Sequence, residues 1–357
     1  MRLTGSRRLG WLAVTIAREP EVFTVAGMKC TCRYRLSLKL VALGLTLSAL
    51  LVFGSQSWVV ASSLQDNPIE VGHVNWSRDY QGALQASRRS GKPVFLFFQE
   101  VPGCLGCQDF GRQVLTHPLL VEAVEDEFIP VLVYNNRRTG MDAQLLKQYG
   151  EPSWNYQVIR FVDANERDLI PRRDRIWDLG SLAARMVESL QAADREVPLY
   201  LSSLAIEYDT NNLRTTVFGM YCFWTGEYEL GSISGVVATE AGFYRGREVT
   251  QVTYHNEQLA LADLIGEAAD RECARTVYLD IAATAIQSRL KVEKFDPSDY
   301  RPAPASDQKK QLQRWLTGHQ DLNLTMLQLT KLNSFLPDDP VAMLKWLSPR
   351  QLTQLEP

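Results

Sequence analysis

Residues 91–107 read GKPVFLFFQEVPGCLGC, an unbroken apolar run that leads into two cysteines separated by two residues. Five apolar positions in succession (94–98), rich in aromatic and β-branched side chains and opened by Lys92-Pro93, predict a strand buried on both faces, as in a parallel sheet. Upstream, Tyr80, Ala83, Leu84 and Ser87 recur at helical spacing, with Ser77 placed as a cap. Downstream, a helical pattern passes through Phe110 and Val114 and breaks near His117-Pro118. FIPVLVYNN (residues 128–136) predicts a second buried strand. A short helix around residues 143–149, a third strand in QVIRFVDANERDL and a helix over residues 179–192 follow. This alternation predicts α/β layers around a mainly parallel sheet.

The order helix, GKPVFLFF, Cys-x-x-Cys, helix, strand resembles the thioredoxin fold, in particular extracytoplasmic thioredoxin-like domains with a W…AL…GKPV…C-x-x-C pattern. The Val101-Pro102-Gly103-Cys104 run also resembles a thioredoxin-like group in which selenocysteine can stand at the place of Cys104 and threonine at that of Cys107. A cysteine between a strand end and a helix start feels the positive end of the helix, which favours thiolate. Cys104 would attack a disulfide and Cys107 would resolve the mixed intermediate. A structural bridge is the plainer alternative, although so small a ring removes only roughly 2 kcal/mol of chain entropy. A zinc site would need two more ligands, and only His117 is near in sequence. Thioredoxins carry a cis-proline immediately before the strand after their third helix; here Pro152 stands several residues too early.

A second cysteine stretch, GMYCFWTGE (residues 219–227), follows a strand-like LRTTVFG. The reading continues as helix from Cys222, strand GVVATEAGF, strand EVTQVTYH, helix EQLALADLIGEAA and strand RTVYLDI, a split β-α-β order (β-α-β-β-α-β). Cys222 then also stands at a helix start. VFGMYCFWTGE…GVVATEAGFYRG…EVTQVTY is similar to the A-type peptide methionine sulfoxide reductases, whose hallmark is Gly-Cys-Phe-Trp-Gly, a Glu, and later a Glu opening a V-x-V-x-Y strand. The resemblance implies Cys222 as nucleophile, Phe223 and Trp224 as the apolar wall for the substrate methyl group, and Glu248 as the acid at the sulfoxide oxygen. Tyr221 replaces the family's glycine, Phe243 a tyrosine, and YRGR a longer loop. AADRECARTVY stands where the family has a tyrosine-bearing block, so two hydroxyl donors are missing and Cys273 takes a tyrosine's place. Cys273 is thus expected either to resolve the Cys222 sulfenic acid or to hold a static bridge worth roughly 4 kcal/mol in the chain-entropy model. Cys222 as a buried apolar thiol, Glu248 as an ordinary strand carboxylate, and Phe223 and Trp224 as core are the plain alternatives.

The rest bounds the setting. The chain has 357 residues, 45% hydrophobic and 22% charged, and a formal charge of −3 that gives no footing for nucleic acid. Residues 40–53, LVALGLTLSALLVF, follow Arg33, Arg35 and Lys39 and fit the apolar part of a secretory signal, with cleavage after Ala61 and Met28 as the true start. An uncleaved membrane anchor facing the periplasm is the alternative. Both place the remainder outside the cytoplasm, in the periplasm, where disulfide chemistry is allowed. Cys30 and Cys32 precede that signal, which leaves Cys104, Cys107, Cys222 and Cys273.

The expected organisation is an extension with signal or anchor over 1–63, a thioredoxin-like α/β domain over 68–195, and an α+β reductase-like domain over 196–292. A linker over 293–307 and a helical C-terminal extension over 308–357 complete it. The resemblances imply a thiol-disulfide oxidoreductase that reduces methionine sulfoxide or a related oxidised sulfur, relaying electrons from its own Cys104/Cys107 pair and recharged by a membrane-side dithiol. No metal or organic cofactor is expected. A disulfide reductase or isomerase for exported proteins, and a reductase-like binding module without turnover, are the rivals.

Overall fold

The computed structural model describes residues 67–153, 157–280 and 287–355. The apolar run 40–53, the cleavage point and Cys30 and Cys32 lie outside them. No helix among the described residues is long and apolar enough to cross a membrane.

Strand β1 (Val94–Gln99) is buried at every position and sits inside a four-stranded sheet of order β2-β1-β3-β4. Phe95 and Phe97 feed the core on one face, Leu96 and Phe98 the core on the other. That two-sided burial is why the run shows no alternation. The sheet is mixed rather than mainly parallel. β2 (Ile129–Tyr134) runs parallel to β1, but β3 (Gln157–Val162) and β4 (Arg173–Asp174) pair antiparallel. A buried apolar run reads the same in either direction, so the sequence could not show the reversal.

Helix α1 (Tyr80–Ser90) buries Tyr80, Ala83, Leu84 and Ser87 as their spacing requires, and ends on Gly91 at φ 71. Its cap is Asp79, whose carboxylate accepts from Gly82 N, and not Ser77, whose hydroxyl accepts from Asp79 N. Helix α2 (Leu105–Gln113) ends before Pro118, which opens a further helix, α3 (Pro118–Glu127), that the break at His117-Pro118 had concealed. Proline at a first helical position costs no hydrogen bond. Helices α4 (Gly140–Tyr149) and α5 (Leu179–Ala192) complete this layer.

The first core does not stop at residue 195. Helix α6 (Leu199–Glu207) places Tyr200, Leu201 and Leu204 in the same cluster as Leu182, Met186 and Leu120 of α5 and α3. The boundary expected at 195/196 therefore falls beyond α6, because its apolar face is covered by the first domain.

The second sheet has the order β10-β6-β7-β5-β8-β9. It contains β5 (Leu213–Met220), β6 (Val236–Tyr244), β7 (Arg247–His255) and β8 (Ala274–Leu279), with α7 (Phe223–Gly231) and α8 (Leu261–Asp270) between strands. The stretch expected to be a linker is part of this sheet. β9 (Lys291–Lys294) pairs with β8, and β10 (Tyr300–Pro302) pairs with β6 along the sheet edge. Proline lacks a donor, and an edge strand can leave that side unpaired.

The C-terminal extension forms α9 (Gln313–Thr317), α10 (Met326–Phe335), α11 (Pro340–Leu344) and α12 (Pro349–Thr353), and it packs on both sheets' domains. Lys331 on α10 donates from Nζ to Gly231 O (2.8 Å) and Ile233 O (2.7 Å) at the end of α7. A Cβ at Gly231 would lie 2.4 Å from Ser334 Oγ, so α10 needs glycine there. On the other side, Ser348 Oγ donates to Glu122 (2.5 Å), and Arg350 pairs with Glu125 (2.8 Å) and Asp126 (2.9 Å) of α3. The two sheets' domains meet at one end of β5. Asp209 bonds His255 (3.2 Å), which pairs with Leu213, and Asn256 N donates to Asn212 O (2.9 Å).

Candidate active site

Cys104 caps α2 from an extended backbone (φ −67, ψ 172) and is exposed, while Cys107, one turn on, is buried. Their sulfurs stand 3.3 Å apart, at hydrogen-bond rather than disulfide distance. Burial, followed by the bond to Cys104, pushes the Cys107 thiol up to about 12. Cys104 is thus the sulfur open to an incoming group, and burial favours the protonated form of Cys107. Gly103 N donates to Glu70 Oε1 (2.8 Å), which fixes the loop, and a Cβ on Gly103 would lie 2.7 Å from Cys107 Cβ. Glu70 is buried and carried no signal in the sequence.

The ligand atoms of Glu100, Cys104 and Cys107 lie within 4.8 Å of one another, one short of a four-ligand zinc site. His117 is not part of that group; its ring meets that of Tyr208 edge-on (5.6 Å), and burial lowers its pKa. Among the described residues the cis peptide bond is Val101–Pro102, whereas Pro152 stands apart from β3.

Cys222 caps α7 in the same way (φ −142, ψ 121) and is half-buried; Gly226 N donates to its carbonyl (3.1 Å). The structure brings Glu248 to it. Phe223 N, the first amide of α7, donates to Glu248 Oε2 at 2.9 Å, which sets a carboxylate beside the cysteine. Glu248 lies on β7 opposite Phe243, and Thr250, further along the strand, donates to Phe223 O (3.2 Å).

The aromatic residues divide. Phe223 is in the core, packed with Ala241 and Ala303, so it is not an open wall. Its ring meets those of Trp224 (5.8 Å) and Phe243 (5.5 Å), both half-buried at the cluster's edge. Trp224 Nε1 is buried without a partner, and Lys310 Nζ lies 5.0 Å from the ring.

Cys273 is not joined to Cys222. It is buried in the cluster of Phe218, Leu264 and Val277, and its thiol donates to Ala268 O (3.7 Å). Burial, then the charge of Glu229, raises it to about 11. Its neighbour Ala274 pairs with Met220, so the backbones run close, but the Cys273 side chain enters the core under α8.

Sequence reasoning also missed the buried pair Glu227–Lys309 (2.7 Å), in which Lys309 N donates to the same carboxylate (2.8 Å). Burial raises the Glu227 carboxyl, and Lys309 offsets part of the rise. The Glu following Cys-Phe-Trp in the motif was the available signal.

A family model described as thioredoxin-like matches residues 75–164. The peptide methionine sulfoxide reductase MsrA of Methanococcus maripaludis is 34% identical over a segment covering 15% of this chain and 45% of that relative. The chain carries a thioredoxin-like domain fused to a methionine sulfoxide reductase-like region. It spans less than half the length of that relative. A solved structure described as DsbH oxidoreductase is 22% identical and covers 37% of this chain and 92% of its own, with a TM-score of 0.29.

Proposed function

We propose that the protein is an extracytoplasmic thiol oxidoreductase that reduces methionine sulfoxide, or a closely related oxidised sulfur, with electrons from its thioredoxin-like domain. The observation that carries this reading is the 2.9 Å bond from Phe223 N to Glu248, which sets a proton carrier beside a helix-capping cysteine. Glu248 takes the proton of Cys222; the thiolate attacks the sulfoxide sulfur; Glu248 returns the proton to the departing oxygen. The hydroxyl passes from the substrate sulfur to Cys222 sulfur as the bond between the two sulfurs breaks, so methionine leaves and Cys222 remains as a sulfenic acid. Half-buried Trp224 and Phe243 are the surfaces left for the methyl group once Phe223 is in the core. The strand succession and the central order β6-β7-β5-β8, each neighbour antiparallel, support a split β-α-β reductase fold for this region. The Cys104/Cys107 pair would supply the electrons, and a membrane-side dithiol would restore it. The domain split, with the thioredoxin-like part extended through α6, and the periplasmic setting implied by residues 40–53 belong to the same proposal.

A second reading rests on Trp177, which is 39% exposed. Its ring lies 3.5 Å from where a Cβ on Gly106 would be, and Cys104 Sγ lies 3.9 Å from that point. An apolar surface beside an exposed, attacking cysteine suits a disulfide reductase or isomerase acting on exported proteins. The test is turnover of a methionine-S-sulfoxide peptide by the wild type, Cys222→Ser and Cys104→Ser. Loss of multiple turnover in both variants is the expected result. Activity that persists without Cys222, or none in the wild type, overturns the first reading.

A further inference from the structure

Two cations stand beside the aromatic surface of the second site, and one stretch of chain, residues 300–310, delivers both. β10 pairs Arg301 with Phe243, and Phe243 pairs with Glu248 on β7. Residues paired directly across strands share a face, so Arg301 stands on the face that carries Phe243 and Glu248. Ala303, two residues on and therefore on that face again, packs with Phe223 in the same cluster. Its amide donates to Ala241 O (2.8 Å), which continues the chain along the edge of β6.

The chain is then pinned just before Lys310. Gln308 bonds the backbone of Ala241 twice, accepting from its N (2.9 Å) and donating to its O (2.8 Å). Lys309 turns inward to the buried carboxylate of Glu227 (2.7 Å) on α7. Lys310 is left exposed, with Nζ 5.0 Å from the centre of the Trp224 ring. The buried pair that holds Lys309 thus sets the place of its neighbour.

Charge and hydrogen-bond demand here lean one way. Arg301 is exposed and has no ion pair among the described residues, unlike Arg160, Arg172 and Arg245. Lys310 donates to Ser306 O (3.0 Å), and its acidic partner Asp307 is 3.7 Å away in a part-exposed pair, which is worth little. Glu248 has an oxygen taken by Phe223 N. Trp224 Nε1 is buried without an acceptor. The aromatic surface is therefore bordered by donors and positive charge.

Resting on the sulfoxide-reductase reading, we infer that this site selects oxidised methionine with a carboxylate close by, and that Arg301 and Lys310 bind that carboxylate. The methyl group lies on Trp224 and Phe243, and the carboxylate, from an acidic neighbour in a peptide or from a chain's C-terminus, lies at the border of those rings. Arg301 can take it through two parallel N–H groups, and Lys310 as a point charge. Both are specificity residues, because neither touches the reacting sulfur. Their attraction acts on substrate capture and weakens with salt.

The test uses the full-length protein with dithiothreitol as reductant, so that no step depends on the first domain. Three peptides, blocked at both ends, carry methionine-S-sulfoxide between two Glu, two Gln or two Lys residues; a fourth has Gln before the sulfoxide and a free C-terminal carboxylate on it. At low salt a carboxylate-bearing peptide should exceed the Lys peptide by about tenfold in kcat/KM, chiefly through KM, and high salt should shrink the ratio. An advantage of the Glu peptide identifies a side-chain carboxylate, and one confined to the fourth peptide identifies a chain end; either supports the inference. In Arg301→Gln/Lys310→Gln the ratio should fall toward one, whereas Arg89→Gln, a like change of charge on α1, should keep it. Equal kcat/KM for all four peptides in the wild type, or a preference that survives the double variant, overturns the inference. If no peptide is reduced, the sulfoxide reading fails, and the same labelled peptides are titrated with Cys222→Ser by fluorescence anisotropy. Tighter binding of the carboxylate-bearing peptides that is lost on adding Arg301→Gln/Lys310→Gln then supports carboxylate selection by itself, and equal binding overturns it.

Discussion

Both domains set a cysteine at a helix start, yet they surround it differently. Cys104 has a second sulfur 3.3 Å away. Among the described residues, Cys222 has a carboxylate on the first amide of its helix and no disulfide partner. A dithiol can finish its own redox cycle by closing a ring. A thiol beside a carboxylate can move a proton and cleave an S–O bond, but it ends as a sulfenic acid that another thiol must clear. The same local fold position thus suits two chemistries, set by which side chain the neighbouring strand or turn delivers.

The sharpest way to break this comparison is to exchange the cysteines' roles. Cys222→Ser should remove sulfoxide reduction altogether, whereas Cys104→Ser should still yield about one methionine per molecule in the absence of added thiol, read by amino-acid analysis. Next in size, Glu248→Gln keeps the shape but not the proton carrier, and should lower the sulfoxide turnover rate by about 10²–10³ with little change in substrate affinity. It should leave reduction of a small disulfide by Cys104 unaltered.

The proton affinities give a third, pH-based contrast. Cys107 and Cys273 are held protonated by burial, to about 12 and about 11. At pH 8 Cys273 should be alkylated roughly a hundredfold more slowly than a free thiol of ordinary acidity. Because the folded-state values are raised, their contribution to stability is complete below the ordinary thiol range. It is lost as pH rises from there toward 11, where the unfolded chain ionises first. Urea titrations of wild type and Cys273→Ala across pH 8–10 should show the wild type losing stability faster. The smallest effect belongs to the C-terminal clasp: Arg350→Ala removes a half-exposed pair with Glu125 and Asp126 and should cost about 1 kcal/mol in urea unfolding.

How much of this was legible follows from the range of each interaction. β1, α1 and α5 were readable because their pattern is written in consecutive residues, and the Cys-x-x-Cys pair because a helix turn brings i and i+3 together. Strand direction was not, since Phe161 is as buried beside Phe95 in an antiparallel pair as it would be in a parallel one. α6 was assigned to the wrong side because its helical periodicity says nothing of which core covers Leu201 and Leu204. Cys273 misled for a related reason: alignment put it opposite Cys222 in order, while the strand carries its side chain into the core. Glu70, Lys309 and Lys331 act across long separations in the chain and left no local trace. Glu248 could be found only through its motif, and the fold supplied the contact.

The clasp of Ser348 on Glu122 joins residues 226 positions apart. Contacts of that span form late, since the loop they close must first lose its freedom. The thioredoxin-like layer, whose own pairings are far more local, can collapse before them. The order of assembly written into the topology is therefore one in which the Cys104/Cys107 pair is in place while the clasp is still open.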